Sequence, residues 1–223
     1  MTISEPKSME EILLALQGQD SVFLIGCTDC ATVTQVGGED QLVEMKAKLE
    51  EAGKKITGMV VAEPGCHLLG LKKTLREHAQ ELEDADAVLT MSCGTGCQTA
   101  AEAVKREKPV HPGTNTLFLG CVERFGVFSE LCSACGKCTL DDTAAICTVT
   151  RCAKGLQNGP CGGTTAEGKC EVDPEQPCAW YLVHEVLGPK GLESLRAYVP
   201  PKGHDRYHPR KRVIERERGG KAA

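Results

Sequence analysis

Residues 21–30 have the sequence Ser-Val-Phe-Leu-Ile-Gly-Cys-Thr-Asp-Cys, an apolar run that ends in a pair of cysteines. The run has the length of a buried strand, and Leu42, Met45 and Leu49 then repeat at helical spacing. The sequence therefore predicts a strand followed by a helix, with the two cysteines at the carboxyl end of the strand. Before them, Ser8 and Glu11 form a capping box that predicts a short first helix.

The same pattern, a strand that ends at or near a cysteine, recurs three times. Apolar runs at 56–62, 87–91 and 116–120 are followed by Cys66, Cys93 and Cys121. Helices are predicted after the first two runs, over residues 68–82 and through 100–104. Because strands that alternate with helices form parallel sheets with helices on their faces, the sequence predicts a Rossmann-like or flavodoxin-like α/β domain.

Ligand sites in such sheets lie beyond the carboxyl ends of the strands. The strand-end cysteines are therefore expected to hold a 4Fe-4S cluster, with Cys27, Cys30, Cys66 and Cys93 as ligands. Cys97 and Cys121 are reserve or unligated positions. Cys66 follows Pro64-Gly65 at a predicted helix start, where the helix dipole favours the ionised thiol.

Two other interpretations of these cysteines are open. Cys27 and Cys30 also fit a thioredoxin-like redox pair, although a dithiol enzyme does not need Cys66 and Cys93 at neighbouring strand ends. A single strand-end cysteine is often only a small buried hydrophobe, but four of them are less often so.

The second half of the chain is poor in apolar residues and dense in cysteine, so bound metal is expected to hold it together. Cys132, Cys135 and Cys138 have the spacing that iron-sulfur clusters use, whereas structural zinc usually takes separated pairs. Eight thiolates match two cubane clusters, and their pairing is open. The remaining five are Cys147, Cys152, Cys161, Cys170 and Cys178.

Two further features surround these cysteines. The segment 158–163, Asn-Gly-Pro-Cys-Gly-Gly, predicts a loop whose N–H groups hydrogen-bond cluster sulfurs, or else a simple turn. After Cys178, a helix is predicted to end at Gly188-Pro189. Its predicted apolar face consists of Trp180, Tyr181, Val183 and Leu187.

The net charge of −5 argues against a general nucleic-acid binder, and no apolar run is long enough for a membrane span. The first residues contain an acid and a proline with no apolar run behind them, so no signal peptide is predicted. We expect a cytoplasmic protein, and clustered cysteines there usually bind metal. No acid-base constellation is present, so no catalytic residue is predicted.

Three segments are predicted: an α/β domain at 1–125, a cysteine-rich iron-sulfur domain at 126–200, and a basic tail at 201–223. The tail is expected to be a solvated segment, with docking on an acidic partner subunit as the alternative.

The cysteine-rich half resembles the C-terminal domain family associated with methylenetetrahydrofolate reductase, in the form that is a separate small subunit. The alternating front half also fits, although Thr148 stands where the family tends to have proline. The resemblance rests on Cys132-Ser-Ala-Cys135-Gly-Lys-Cys138-Thr-Leu, Ile146-Cys147-Thr-Val-Thr-Arg151-Cys152-Ala-Lys-Gly-Leu156, Asn158-Gly-Pro-Cys161-Gly-Gly163, Lys169-Cys170-Glu-Val172 and Cys178-Ala-Trp180.

This resemblance implies a subunit with two or three 4Fe-4S clusters that relays electrons to or from the flavin of a catalytic subunit in one-carbon metabolism. A ferredoxin or further electron-transfer subunits are the expected other redox partners. Zinc stays an alternative at one site, and a zinc-stabilised scaffold that docks the catalytic subunit is the alternative function. A self-contained thiol oxidoreductase is a third hypothesis.

Overall fold

The computed structural model describes residues 1–191, 193, 195 and 198–200. The chain divides into two compact units, Met1–Glu130 and Leu131–Ala223. The predicted basic tail at 201–223 lies outside the described residues. Within the described part, no helix is both long enough and apolar enough to cross a bilayer.

The strands, in chain order, are β1 (Thr2–Pro6), β2 (Ser21–Cys27), β3 (Lys55–Ala62), β4 (Ala87–Thr90), β5 (Val110–Pro112), β6 (Thr114–Arg124) and β7 (Val127–Cys132). The helices are α1 (Met9–Ala15), α2 (Cys30–Val33), α3 (Glu39–Glu51), α4 (Leu68–Glu77), α5 (Ala79–Glu83), α6 (Gly94–Ala103), α7 (Thr148–Arg151) and α8 (Ala179–Gly191).

The first unit is built on a four-stranded parallel sheet in the order β3-β2-β4-β5. Strand β2 is buried from Val22 to Cys27, as expected for an apolar run with helices on both faces. The predicted α/β architecture, a parallel sheet flanked by helices, is confirmed. The chain order reverses direction across the sheet at β2 and β4, so the loops after these strands open a crevice between them.

Alternate residues of β2 point into two separate cores. Val22 and Leu24 pack with the apolar faces of α1 and α3, while Phe23 and Ile25 pack with those of α4 and α6. This period of two is what a strand with helices on both faces requires. The two cores fix β2 at the centre of the unit and so fix the position of Cys27 at its end.

The prediction that residues 116–120 form the fourth strand of the parallel sheet is wrong. Residues 116–120 belong to β6, which pairs antiparallel with β1 in a second sheet of order β1-β6-β7. Strand β5 takes the fourth place in the parallel sheet instead. With only three residues, Val-His-Pro, β5 is too short to give a period-two signal, and β1 contains both Glu5 and Pro6.

The predicted helices mostly form where the apolar spacing placed them. The Ser8–Glu11 capping box is present at the start of α1, and both of its hydrogen bonds are made. The helix predicted over 68–82 is divided into α4 and α5 at His78, which has non-helical dihedral angles. In α8, Gly188 with φ of 62° interrupts the helix just before Pro189.

The second unit has only a small core. Ile146, Ala179, Trp180 and Val183 are buried together, and the Trp180 indole donates a hydrogen bond to the Leu156 carbonyl. Tyr181 was predicted to share this apolar face, but it is 39% exposed because it lies on the opposite side of α8. The scarcity of apolar contacts in this unit agrees with the composition of its sequence.

A close approach of two backbones supports the loop after β2. The Gly37 carbonyl accepts a hydrogen bond from the Cys27 N–H at 2.9 Å. A methyl group at Gly37 would lie 1.6 Å from the Met91 carbonyl oxygen. Only glycine therefore fits between the Cys27 loop and the end of β4.

We expect Gly37→Ala to lower the free energy of unfolding of the first unit by about 1–3 kcal/mol or more, because the new methyl group overpacks a buried contact. Urea denaturation followed by circular dichroism measures the change. Gly94→Ala is the matched control, since its methyl group would meet only the Thr116 hydroxyl at an ordinary 3.5 Å. Equal midpoints for the two variants would contradict this account of the loop.

Candidate metal centre

Four cysteines of the first unit lie at the carboxyl edge of the parallel sheet. Cys27 is the last residue of β2 and is buried, and Cys30 is the first residue of α2. Cys66 lies in the turn between β3 and α4, and Cys93 is the N-cap of α6. Three neighbouring strands thus deliver these cysteines to one edge, as their positions in the sequence predict.

The four thiols are close enough to act on one another. Burial raises the pKa of the Cys66 thiol, and the thiols of Cys27, Cys93 and Cys30 raise it further. A second negative charge is unfavourable close to the first, so thiolates at these neighbouring positions would oppose the ionisation of Cys66. Cys66, whose ionised form was expected to be favoured by a helix start, therefore has a pKa above its usual value.

The prediction of an ionised Cys66 is wrong for two physical reasons. Helix α4 begins only at Leu68, with His67 as its N-cap, so Cys66 precedes the first turn. Although the residue as a whole is exposed, its thiol is partly desolvated and faces three other thiols. A bound cation would reverse this balance, because coordination deprotonates a thiol outright.

Backbone donors already surround two of these sulfurs. The Gly65 N–H donates to Cys27 Sγ and the Thr2 N–H donates to Cys30 Sγ, both at 3.4 Å. The Thr32 hydroxyl holds the Cys27 carbonyl at 2.7 Å. Sequence patterns did not show the Thr2 contact, since it depends on strand β1.

The two reserve cysteines lie elsewhere. Cys97 lies one turn into α6, where its N–H donates to the Cys93 carbonyl, and Cys121 lies on β6 of the antiparallel sheet. Among the described residues, the thiols that shift the pKa of Cys66 do not include either of them.

A small pocket of the second unit brings together four of its eight cysteines. The sequence did not indicate which of the eight cysteines belong to one site. In the structure, the last four in chain order line the same pocket, and the triplet Cys132, Cys135 and Cys138 is not among the residues that line it. The residues lining this pocket include Cys152, Cys161, Cys170 and Cys178.

Hydrogen-bond donors point at two sulfurs of this pocket. The Gly163 N–H donates to Cys161 Sγ at 3.4 Å, so the glycine-rich loop supplies an N–H to sulfur as predicted. Burial raises the pKa of Cys178, but hydrogen bonds from the Thr164 hydroxyl and from the backbone at Tyr181 and Trp180 outweigh it and lower the pKa. The lowered pKa favours the ionised form of Cys178, and the thiolate is the form that binds metal.

An ion pair stands beside Cys161. Lys154 Nζ contacts Glu171 Oε1, and the Cys161 thiol donates to the same carboxylate oxygen at 3.4 Å. The hydrogen bond to Glu171 raises the pKa of Lys154, and the charge of a Cys161 thiolate raises it further. Lys154 lies two residues after Cys152, and Glu171 directly follows Cys170. This closeness in the sequence is the signal by which the two charged residues could have been predicted to lie near the cysteines.

The triplet begins at Cys132, the last residue of β7, and continues on a tightly bent loop. Ala134, with φ of 53°, and Gly136, with φ of 84°, both have left-handed backbone. The Ala134 N–H donates to Cys132 Sγ at 3.4 Å. Cys147 is the N-cap of α7, and its thiol donates to the Thr150 hydroxyl at 3.5 Å.

Among the described residues, the thiols of these two sets are not gathered closely enough to hold a single metal ion. Within the described residues, no three His, Cys, Asp or Glu side chains form a group that could hold one metal ion, and no disulfide forms. Each cysteine of a cubane binds a different iron, so its ligands stand around a larger volume than the ligands of one ion. The sheet edge and the pocket each offer four thiols, which is the kind and number that such a cluster takes.

We expect mild oxidation of metal-depleted protein by diamide to join Cys66 to Cys27, Cys30 or Cys93, because these are the thiols that affect the pKa of Cys66 electrostatically. Peptide mapping by mass spectrometry identifies the linked pairs. A Cys66→Ser variant serves as the control and should lose these links. Links formed mainly between Cys66 and cysteines of the second unit would contradict the convergence at the sheet edge.

Comparison with known proteins adds one finding. Residues 111–205 match the family model described as "Methylene-tetrahydrofolate reductase C terminal". The matched range contains the eight cysteines between 132 and 178. No curated protein and no solved structure matches the chain.

Proposed function

Since residues 111–205 belong to the methylenetetrahydrofolate reductase C-terminal family, we propose that the chain is an iron-sulfur electron-transfer subunit of such a reductase, of the MetV type. It relays electrons to or from the flavin of a catalytic subunit. The convergence of Cys27, Cys30, Cys66 and Cys93 is the observation that carries the proposal. A purely structural sheet has no need of four cysteines at the edge where ligands bind.

The topology supports this assignment. The strand order β3-β2-β4-β5 matches the first four strands of the flavodoxin-like order, in which the cofactor lies at the point where chain order reverses. Here that point lies between β2 and β4, and Cys27 and Cys93 follow these two strands.

The structure also supports a division of the ligands that spacing left open. We assign Cys27, Cys30, Cys66 and Cys93 to one 4Fe-4S cluster. The four pocket cysteines hold a second, which leaves Cys132, Cys135 and Cys138 with Cys147 for a third. Zinc is the alternative occupant of one of these sites.

A bound cluster supplies one-electron transfer, and the residues of the chain hold it, shield it and adjust its potential. The thiolates bind the irons, and the N–H groups of Gly65, Thr2 and Gly163 donate to ligand sulfurs. The buried Trp180 ring lines the pocket and limits access of water to it.

The proposed partners follow from the family. The first is a flavin-containing catalytic subunit, which binds the flavin and the folate. A ferredoxin or further electron-transfer subunits complete the path. The proposed location is the cytoplasm, where reduced thiols are available for cluster assembly.

We expect anaerobically purified protein to contain iron and sulfide, and each of two serine variants to lose one cluster. Cys66→Ser removes a ligand at the sheet edge and Cys161→Ser removes one in the pocket, so each should lose about four irons per chain. Iron, sulfide and zinc analysis with electron paramagnetic resonance measures the loss.

Cys121→Ser is the matched control, because Cys121 lies on β6 outside both thiol sets, and it should keep its full iron content. Colourless wild-type protein with stoichiometric zinc and no iron would overturn the electron-transfer proposal in favour of the zinc-stabilised scaffold.

The relay itself is tested with the catalytic flavoprotein. We expect the reduced wild-type protein to reduce the flavin of its partner in anaerobic stopped-flow absorbance, and the Cys66→Ser variant to do so at least tenfold more slowly. Co-purification of the variant with the partner checks that docking is intact. Equal rates for a docked, cluster-deficient variant would contradict the relay through the sheet-edge site.

A further inference from the structure

Two of the four sheet-edge sulfurs accept hydrogen bonds from backbone outside their own loop. Gly65 belongs to the turn after β3 and donates to Cys27 Sγ, and Thr2 belongs to β1 and donates to Cys30 Sγ. The donors thus come from two different elements and meet the two ligands of one Cys-x-x-Cys pair.

The pairing of β1 explains why the Thr2 N–H is free to reach a sulfur. Met1 and Gly120 exchange both hydrogen bonds, with the Met1 nitrogen 2.9 Å from the Gly120 carbonyl and the Gly120 nitrogen 3.0 Å from the Met1 carbonyl. Adjacent residues of a strand direct their N–H groups to opposite edges, so the Thr2 N–H points away from β6. Helix α2, which begins at Cys30, packs on this edge of β1.

We propose that Thr2 and Gly65 are positioning residues that raise the reduction potential of the sheet-edge cluster. The inference rests on the proposed function, because it needs that cluster. Reduction adds negative charge to the cluster and its sulfurs, and an N–H donor stabilises the more negative state more strongly. The antiparallel sheet then has a role in the chemistry, since β1 presents one of the donors.

Proline substitutions remove these donors selectively. Thr2→Pro deletes an N–H that points away from the strand partner, a place where an edge strand tolerates proline. Thr2→Ala keeps the N–H and is its control. Gly65→Pro deletes the second donor, and Gly65→Ala keeps it, because the added methyl group would stand 3.4 Å from Cys27 Cβ and 3.6 Å from its sulfur.

The test is an anaerobic redox titration of the full-length, cluster-loaded protein, followed by electron paramagnetic resonance. Both proline variants should lower the midpoint potential of one cluster, namely the one that Cys66→Ser removes, while the alanine variants keep the wild-type value. The Thr2 N–H exists as a backbone amide only while Met1 is retained, and intact-mass spectrometry of the purified protein checks this. If Met1 has been removed, the comparison of Gly65→Pro with Gly65→Ala alone tests the inference.

Equal potentials in each proline and alanine pair, with full iron content, would overturn the inference while leaving the cluster in place. Loss of that cluster from the proline variants alone, with unchanged circular dichroism, would show that the donors are needed to hold the cluster and would overturn the claim that they adjust its potential. Failure of Cys66→Ser to change the iron content would instead show that the proposed function is wrong at this site.

Discussion

The convergence of four cysteines at one edge of a parallel sheet is the constraint on which the functional architecture depends. Right-handed crossovers place the loops after β2, β3 and β4 on the same edge, and each loop brings cysteine with it. Burial and the neighbouring cysteines raise the pKa of Cys66, so its ionisation is opposed where no cation is bound. Two apolar cores, one on each face of the sheet, fix the strands and so hold the four cysteines at this edge.

The second unit, in contrast, has few buried apolar residues. Its four-residue core is too small to order some seventy described residues by burial alone. Its cysteines are instead distributed along loops with left-handed residues such as Ala134 and Gly136, and hydrogen-bond donors point at several of their sulfurs. If the proposed clusters bind here, their binding would also contribute to the folding of this unit.

The sequence predicted most of the features that place the sheet-edge site. The run at 21–26 and the cysteine after each strand were sufficient to bring Cys27, Cys66 and Cys93 to one edge, because strand alternation and handedness leave little choice. The antiparallel sheet was not predictable, because β1 has a weak pattern and its partner β6 looks like another parallel strand. The pKa of Cys66 was misjudged since it depends on neighbours that only the fold brings close, and the pocket grouping depends on loop paths that spacing does not encode.

Anomalous diffraction from crystals grown without oxygen, with data collected at the iron and zinc absorption edges, tests the central claim most directly. The account predicts iron density bonded to the sulfurs of Cys27, Cys30, Cys66 and Cys93. Ordered, unmodified thiols at this edge with no iron beside them, in protein that still passes electrons to its flavoprotein partner, would contradict it.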